Sequence, residues 1–380
     1  MKPNLKILEV CPYSAGGCGV WQRAKQESIE LSKKGYNIRI FSSYFEKGSD
    51  KIMPIKENLG NIKIQRFPAK KIGGESFMKW DFEKEALAYS PDIIVVHNYR
   101  HLLTTDGLKV VKKLRKQGKR CKIFLVTHAP FVEGNITRTK LQTCIVNFYD
   151  RFIGPRTLNK FDKILVISHW EIPYLLKRGA KKQKIVYIPN GIPKEFFVLK
   201  KQAKEENKIL FLGRIAPKKK IETIIQALPL LKDKEIIFEL VGPCEEEYKN
   251  YILNLIEKYD VKEKVVFSEP VYDLKKKIKK LDSCKLYVLA SRVEGMPQGL
   301  IEVMSRGKIV VGSNSIAIRD LIKDKQNGYL FQFNNPKDLA EKIDFALKKN
   351  KQNNTIKKQA KKFVEQFSWN KIIHKIESLF

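Results

Sequence analysis

The sequence has no long uncharged apolar run, no paired cysteine motif and few acidic residues for its length. No apolar stretch reaches the roughly 20 residues that cross a bilayer. The N-terminal segment, which includes Glu9, is typical of a first β-strand and not of a secretion signal. The six cysteines are scattered, without a Cys-x-x-Cys pair or the spacing of a zinc site. We therefore expect a cytosolic protein with reduced thiols, and a peripheral position at the inner membrane face stays open.

The scarcity of acidic residues leaves a strongly basic chain. Lys and Arg number 74 against 41 Asp and Glu, which is a formal net charge of +33, and dense basic runs lie at residues 109–122 and 177–184. Such a field attracts nucleic acid, anionic lipid or phosphorylated small molecules, although lysines that only solvate helix surfaces explain it equally well. Because no RNA-binding signature, helix-turn-helix or zinc finger accompanies the charge, a nucleic-acid-binding protein is kept only as an alternative.

Short β-branched runs alternate with longer amphipathic segments, which predicts an α/β fold with parallel sheets and crossover helices. The 380 residues suit two domains. Strands are expected at residues 5–10, 37–41, 93–97, 122–127, 163–168, 209–212, 236–241, 265–267, 286–289 and 309–312. Helices are expected at residues 20–34, 107–117, 222–231, 246–259, 272–281, 300–305 and 335–348. Gly35 stands just past the first helix, where a helix stop is expected.

The polar, Lys-rich residues 195–207 are interpreted as a linker, which predicts domains at residues 1–200 and 201–360. Ligands of doubly wound domains bind at the carboxyl ends of the parallel strands. A cleft between the two domains is therefore the expected site.

A glycine-rich stretch, Ser14-Ala-Gly-Gly-Cys-Gly19, follows the first strand and opens the first helix. Its adjacent glycines, Gly16 and Gly17, let the backbone approach a ligand closely, and a helix N-terminus offers N–H groups to an anion. The stretch lacks the Gly-x-Gly-x-x-Gly spacing and its acidic partner, so it does not indicate a nicotinamide cofactor. A plain tight turn would have the same composition.

A basic loop, Gly213-Arg-Ile-Ala-Pro-Lys-Lys-Lys220, follows the strand expected at residues 209–212. Arg214 and Lys219 stand across a turn, where two cations can clamp a diphosphate, Arg with a planar fork and Lys as a point charge. In so basic a chain, such a loop is weak evidence when taken alone.

Two glutamates bracket a third turn, Glu294-Gly-Met-Pro-Gln-Gly-Leu-Ile-Glu302, after the strand expected at residues 286–289. Gly295 and Pro297 shape the turn, and a helix opens near Gly299. Glu294 on the loop and Glu302 on the helix can point into one crevice, where carboxylates accept hydrogen bonds from the hydroxyls of a sugar.

This Glu-x7-Glu pattern resembles the signature of retaining GT-B glycosyltransferases of family 4, the group 1 type. Further matching motifs follow in the expected order: Gly16-Gly17, Pro91-Asp-Ile-Ile-Val-Val-His97, Val126-Thr-His128, Val166-Ile-Ser168, Ile188-Pro-Asn-Gly191 and Phe367-Ser-Trp369. The resemblance implies two Rossmann-like doubly wound domains that face each other across a cleft. It also implies that the first domain takes the acceptor, the second takes the donor, and a helix within residues 361–380 crosses back to the first domain.

The resemblance also implies a role for each candidate residue. Arg214 and Lys219 would neutralise the leaving diphosphate, and Glu294 would bond hydroxyls of the donor sugar. Glu302 would hold the ribose, and His128 would lie near the transferred sugar. The remaining donor-binding positions are backbone sites at Gly299, Leu300, Gly16, Gly17, Gly213 and Gly295.

The implied reaction transfers a hexose-type unit from a nucleotide diphosphate sugar to a growing glycan, a lipid-linked acceptor or a phosphorylated acceptor. No Asp-x-Asp sequence occurs, so neither a metal nor another cofactor is expected. The chain departs from the family pattern at Met296-Pro297, Gly242-Pro243, Glu269 and Pro193, which leaves the sugar and the base undefined. A nucleotide-sugar 2-epimerase or a phosphorylase of the same fold is the enzymic alternative.

Two further features allow more than one interpretation. His97 and His101 have the spacing of a helical metal site, but no third ligand accompanies them. We expect His97 to line the cleft at a strand end. Residues 140–153 have apolar positions at helical spacing with basic flanks, and we expect them to pack on the sheet, with a membrane surface as the alternative.

Overall fold

The computed structural model describes residues 5–49, 51–72, 75–131, 139–198 and 204–380. It divides into two compact units, of which the first is Met1–Gly191 with Trp369–Phe380 and the second is Ile192–Ser368. The division precedes the predicted boundary because the chain joins the second unit before the linker. Phe196 is buried, and its carbonyl accepts a hydrogen bond from Arg306 Nη1 at 3.0 Å. Residues 199–203 of the predicted linker lie outside the described residues.

The first unit contains one large sheet and a two-stranded ribbon. Its strands in the described residues are β1 (Lys6–Val10), β2 (Asn37–Ser43), β3 (Lys56–Leu59), β4 (Ile62–Phe67), β5 (Lys70–Lys71), β6 (Met78–Lys79), β7 (Ile93–His97), β8 (Lys122–Val126), β9 (Lys163–Val166) and β10 (Ile185–Tyr187). The sheet order is β10-β9-β8-β7-β1-β2-β4-β3, with only β3 antiparallel among these strands. Strands β1, β7 and β8 are almost wholly buried, which is the burial expected of central parallel strands.

Helices of the first unit connect these strands. In the described residues before the second unit they are α1 (Gly19–Lys33), α2 (Glu83–Tyr89), α3 (Leu102–Lys116), α4 (Lys140–Phe148), α5 (Gly154–Leu158) and α6 (Glu171–Lys177). A π-helical turn, Tyr149–Ile153, joins α4 to α5. Helix α1 ends as the sequence predicts, because Gly35 takes the left-handed conformation with φ +90° and its N–H bonds the carbonyl of Ser32.

The second unit is a parallel sheet covered by helices. Its strands in the described residues are β11 (Lys208–Leu212), β12 (Ile237–Val241), β13 (Val265–Ser268), β14 (Leu286–Leu289), β15 (Ile309–Ser313) and β16 (Tyr329–Phe331). They lie in the order β13-β12-β11-β14-β15-β16. Its helices are α7 (Ile221–Ala227), α8 (Glu246–Lys258), α9 (Leu274–Ser283), α10 (Gln298–Ser305), α11 (Ile316–Leu321), α12 (Pro336–Leu347) and α13 (Lys351–Val364). The last helix, α14 (Trp369–Glu377), belongs to the first unit and contacts α1.

Each sheet has one place where the strand order reverses. In the first unit, β1 is followed by β2 on one side and the chain later returns to place β7 on the other side. In the second unit, β11 lies between β12 and β14 in the same way. Loops at the carboxyl ends of two such strands diverge and leave room for a ligand. The two ends, β1 with β7 and β11 with β14, are therefore where candidate sites belong.

The predicted α/β class and its parallel sheets are confirmed. All ten predicted strands are present, two of them with the predicted bounds, Ile93–His97 and Leu286–Leu289. The helix expected at residues 107–117 begins earlier, at Leu102, and the one expected at residues 300–305 begins at Gln298. Strands β3, β4, β5, β6, β10 and β16 were not predicted. Of these, β3 and β10 are short and partly or largely exposed, and such strands have weak apolar patterns.

Candidate functional site

Two loops meet at the strand-order reversal of the second unit. Lys219, on the loop after β11, places Nζ 2.5 Å from Oε1 of Glu294, on the loop after β14. Ser291 Oγ donates to the same oxygen at 2.7 Å. The backbones are joined as well, because the Arg292 N–H donates to the carbonyl of Lys218 at 2.9 Å. The structure thus brings together two of the predicted site residues, and it pairs them with each other.

The basic loop presents more than the two cations that its spacing indicated. The Arg214 side chain is 65% exposed and lies 3.2 Å from Oε1 of Glu245. Desolvation, followed by the charge of Lys219, lowers the pKa of Lys218, a lysine that the sequence interpretation passed over. The loop carries four cations, of which Lys220 pairs with Glu222 at 2.9 Å. Arg214, Lys218 and Lys219 form a field suited to a phosphate group, because close like charges are stabilised by a bound anion.

Glu302 lies on α10 and is buried. Lys277 of α9 donates a hydrogen bond to its Oε1 at 2.7 Å and lies 2.6 Å from Oε2. The predicted helix at residues 272–281 contains Lys277, but nothing in its pattern relates it to Glu302, since the contact depends on how α9 packs against α10. The carboxylate is thus fixed by a lysine outside all the predicted motifs.

Glycines let these loops pack closely. Gly213 and Gly242 both have positive φ, and a Cβ on Gly242 would lie 2.1 Å from the carbonyl oxygen of Gly213. A Cβ on Gly299 would lie 2.7 Å from Oη of Tyr287, whose hydroxyl donates to the carbonyl of Leu212 at 3.2 Å. The start of α10 therefore packs against the end of β11 only because residue 299 has no side chain.

The remaining donor-side predictions lie on the same turn. The side chain of Leu300 is fully buried, and its N–H donates to the carbonyl of Pro297 at 3.1 Å, inside the turn. Gly295 is half-buried beside Met296, which is buried. The Met-Pro variant of the family turn therefore contributes apolar packing under the loop.

A chain of three side chains, of which Glu9 and His97 are fully buried and His128 is partly exposed, occupies the strand-order reversal of the first unit. Glu9 of β1 places Oε2 2.7 Å from Nε2 of His97 at the end of β7. The other ring nitrogen of His97, Nδ1, lies 2.8 Å from Nε2 of His128, which follows β8. His128 was predicted and His97 was expected near the site, whereas Glu9 was noted only as an argument against a secretion signal.

Burial keeps this chain uncharged near neutral pH. Desolvation raises the pKa of Glu9 to about 8, against a smaller opposing effect of Arg23, and lowers the pKa of His97 to about 4. Desolvation also lowers the pKa of His128 well below its usual value, with the neighbouring His97 adding to the effect. Protons can then be arranged in either direction along the chain, because each neutral imidazole has one donor and one acceptor nitrogen.

The backbone around His128 is held in an uncommon conformation. Asn98 and Arg100 after β7, and His128 and Ala129 after β8, all have positive φ. Such residues cost on the order of 1–3 kcal/mol each unless their surroundings fix them, and they cluster at functional sites. This concentration at two adjacent strand ends marks the first-unit site independently of any motif.

The side chain of Glu171 fixes the uncommon backbone conformation at His128 and Ala129. Its buried carboxylate accepts hydrogen bonds from Thr127 Oγ1 at 2.5 Å and from the N–H of Ala129 at 2.8 Å. It also accepts from the N–H groups of Ile167 and Ser168 at 2.8 and 3.1 Å. Desolvation raises its pKa to about 7, against the effect of these bonds. Glu171 therefore ties the His128 turn to the end of β9, and no motif pointed to it.

The two N-terminal glycines differ in surroundings. Gly16 has φ +81°, and a Cβ there would lie 2.5 Å from the carbonyl oxygen of Lys47. Gly17 has nothing within 4 Å of the position of a Cβ, so its backbone borders open space just before α1. Gly16 is thus needed for the turn itself, and Gly17 leaves the start of the helix accessible.

No helix in the part of the chain that the structure describes is long and apolar enough to cross a bilayer. No group of three or more His, Cys, Asp or Glu side chains there could hold a metal ion.

Family comparisons agree with the motif order. Residues 193–363 match the family model of glycosyl transferases group 1, and residues 18–196 match that of glycosyltransferase family 4. An uncharacterized glycosyltransferase of Methanocaldococcus jannaschii is 30% identical over 398 residues, covering 98% of this chain and 96% of that protein. A poly(ribitol-phosphate) alpha-N-acetylglucosaminyltransferase of Staphylococcus aureus is 28% identical over 238 residues, covering 62% of this chain and 45% of that protein.

Solved structures share the fold. Sucrose-phosphate synthase from Thermosynechococcus elongatus superposes with a TM-score of 0.77 at 17% identity, covering 99% of this chain and 98% of that one. HepE of Anabaena, solved in complex with UDP and glucose, superposes with a TM-score of 0.72 at 16% identity, covering 98% of both chains. The comparisons lend no support to the epimerase, phosphorylase or nucleic-acid-binding alternatives.

Proposed function

This chain is a glycosyltransferase of the group 1, family 4 type, and we propose that it transfers a sugar from a nucleotide diphosphate sugar with retention of configuration. The observation that carries the proposal is the junction of Lys219 with Glu294 at the strand-order reversal of the second unit. At this junction, a cation suited to the diphosphate donates a hydrogen bond to a carboxylate suited to the sugar.

Donor binding rearranges this junction. The diphosphate competes with Glu294 for Lys219, because a phosphate carries more charge than a carboxylate and accepts more hydrogen bonds. The released Glu294 carboxylate then accepts hydrogen bonds from sugar hydroxyls. Glu302, held by Lys277, receives the ribose. The ion pair therefore keeps both groups in position before the donor arrives.

The leaving diphosphate is stabilised by Arg214, Lys218 and Lys219 instead of a metal ion. Fixed charges placed where negative charge develops are commonly a large part of catalysis, and one such donor is worth about 3–4 kcal/mol. The chain has no Asp-x-Asp sequence to hold a divalent ion. Activity is therefore expected to persist in the presence of a chelator.

Retention is proposed to follow from attack by the acceptor on the same side of the sugar as the departing diphosphate. The donor-side carboxylates, Glu294 and Glu302, are both paired with lysines. In the donor complex Glu302 keeps its lysine, and the released Glu294 accepts hydrogen bonds from the sugar hydroxyls. The negative charge of each carboxylate is therefore already engaged, which makes either a poor nucleophile. A short-lived oxocarbenium-like transition state is then stabilised by the adjacent phosphate oxygens.

The acceptor is proposed to be a phosphate-bearing or lipid-linked glycan. The larger part of the basic excess lies in the first 200 residues, and a positive field concentrates anionic substrates. The Staphylococcus aureus relative, as its name states, acts on poly(ribitol-phosphate). His128, at the end of the chain of side chains that starts at Glu9, is proposed to lie near the transferred sugar.

A thermal-shift screen of nucleotide sugars tests the donor proposal. A ligand at 100 times its Kd stabilises by about 2.7 kcal/mol, which a melting curve resolves. We expect UDP-sugars to raise the melting temperature even when EDTA is present. We also expect NMR of the product to show the same anomeric configuration that the sugar has in the donor. A product formed without acceptor would favour the epimerase, and no shift with any nucleotide sugar would contradict the proposal.

A further inference from the structure

An exposed apolar stripe runs along α4 and the π-helical turn that follows it. Helix α4 has no buried residue, although a capping box between Thr139 and Gln142 defines its start. The large apolar side chains of the segment are exposed: Leu141 by 71%, Ile145 by 49%, Phe148 by 58%, Phe152 by 57% and Ile153 by 44%. The expectation that residues 140–153 pack on the sheet is therefore wrong.

The stripe has the geometry of one helix face. Leu141, Ile145, Phe148 and Phe152 follow at intervals of four, three and four residues, which places them in one row. The rings of Phe148 and Phe152 lie 5.0 Å apart. Single exposed apolar residues are ordinary, but a row of this kind marks a surface that binds something apolar.

Ion pairs and a close backbone contact hold the base of the segment to the first unit. Asp150 is buried and pairs with both Arg100 and Arg178, the latter at 2.5 Å. A Cβ on Gly154 would lie 2.4 Å from Oη of Tyr99, so the chain passes close to that ring where α5 begins. The stripe is thus presented by an anchored segment, although none of its apolar side chains is covered.

The unit that presents the stripe also has a strongly basic surface. A groove of 770 Å³ on the same unit is bounded by α3 and by the residues that continue from α5, and its charged lining is Lys109, Lys112, Arg115, Lys116 and Lys160. Lys109 pairs with Asp106 and Arg115 with Asp162. The exposed charges of the segment itself, Lys140 and Arg151, are also basic, since its acidic residue Asp150 is buried.

We propose that the stripe and this groove together dock the protein on an anionic lipid bilayer. The apolar side chains enter the boundary between head groups and acyl chains, and the lysines bind lipid phosphates, as amphipathic basic helices do. A bilayer fits better than a second copy of the chain, because two copies would bring like-charged surfaces together. This surface belongs to the first unit, whereas Lys219, Glu294 and Glu302 belong to the second. The docking proposal can therefore be wrong while the proposed sugar transfer is right.

Vesicle binding of the full chain tests the proposal. Sedimentation with vesicles of phosphatidylcholine alone is compared with vesicles of equal parts phosphatidylcholine and phosphatidylglycerol. We expect binding only to the anionic vesicles, and weaker binding at high salt because salt screens the attraction. Equal binding to both kinds of vesicle, or to neither, would overturn the proposal.

Variants separate the two parts of the surface. Phe148→Ser with Phe152→Ser removes apolar contact, and Lys112→Gln with Lys116→Gln removes charge. Each pair should lower partitioning by on the order of tenfold. The matched controls are Tyr272→Ser with Phe345→Ser, at exposed aromatic residues of the second unit, and Lys275→Gln with Lys337→Gln, at exposed lysines of that unit. They should bind as the unaltered chain does.

Two readouts exclude other causes. All variants should keep the melting temperature and its shift with a nucleotide sugar, which shows that the fold and the donor site are intact. Sedimentation velocity without vesicles measures self-association. A dimer that the phenylalanine variants abolish, together with unchanged vesicle binding, would assign the stripe to a second copy and overturn the proposal.

Discussion

His97 Nδ1 lies 2.8 Å from His128 Nε2, although the two rings are on different strands and 31 residues apart. The contact continues to Glu9, so the proton at Glu9 determines whether the other ring nitrogen of His128, Nδ1, is a donor or an acceptor. A protonated Glu9 donates to His97, which then donates to His128. An ionised Glu9 reverses both bonds. The chain therefore links a buried carboxyl to the hydrogen-bonding character of His128.

Glu9→Gln is expected to change how stability depends on pH. The pKa of Glu9 is raised from 4.5 to about 8, so between these values the folded protein keeps a proton that the unfolded chain loses. The free energy of unfolding then falls as pH rises, by at most about 1.4 kcal/mol per pH unit. Because Gln stays neutral, the variant lacks this contribution to the decrease in the free energy of unfolding.

The melting temperatures of Glu9→Gln and of the unaltered protein are compared from pH 5 to 9. As pH rises to about 8, the melting temperature of the variant should increasingly exceed that of the unaltered protein. Glu30→Gln, on the surface of α1, serves as the control and should track the unaltered protein. A difference that does not depend on pH would contradict the buried neutral carboxyl.

Glu171→Ala is expected to destabilise the first unit severely. It leaves the Thr127 hydroxyl and the N–H of Ala129 without their buried acceptor, and each unsatisfied group costs about 1–3 kcal/mol. A loss of at least about 3 kcal/mol should be measurable by urea unfolding. Glu171→Gln keeps one acceptor oxygen and should lose less. Equal stability of the two variants would exclude the proposed fixing of the His128 turn.

Lys219→Gln is expected to lower kcat by roughly 10²–10³ with little effect on folding, because it removes a charge from the departing diphosphate. The control is Lys220→Gln on the same loop. Lys220 pairs with Glu222 at 2.9 Å and not with Glu294. Steady-state kinetics should separate the two variants clearly. If they lose activity equally, the loop acts through its overall charge and not through the Lys219–Glu294 junction.

Arg214→Ala is expected to reduce turnover more than it disturbs folding. The side chain is 65% exposed and its ion pair with Glu245 is also partly exposed, so the contribution of Arg214 to stability is small. Glu245→Gln releases Arg214 from that pair and should preserve activity. Unchanged turnover in Arg214→Ala would remove this residue from the catalytic set.

Gly299→Ala is expected to weaken donor binding by displacing the start of α10. The added methyl group would lie 2.7 Å from Oη of Tyr287. Tyr287→Phe deletes that oxygen, so the double variant should recover part of the lost affinity although Tyr287→Phe alone gives up the bond to Leu212. Donor affinity by calorimetry completes the cycle. Additive losses would mean that the overlap is relieved by some other movement.

The local pattern of the sequence predicted the elements well because local forces produce them. Buried β-branched runs such as Ile93–His97 became strands, and Gly35 ended α1. The motif at residues 294–302 led to the family and the reaction class. That motif contains Glu294, and the separate basic loop at residues 213–220 contains Lys219. The structure joins these two residues, although their roles in transfer stay predictions.

What tertiary structure alone decided is which distant residues meet. Glu9 reaches His97 because β1 pairs with β7, and Lys277 reaches Glu302 because α9 packs beside α10. Glu171 reaches Ala129 because β8 and β9 are neighbours. Strand order is set by packing over the whole unit, and a short window of sequence carries no record of it. The exposure of the stripe on α4 has the same origin, since periodicity shows that a helix has an apolar face and only the fold determines whether that face is covered.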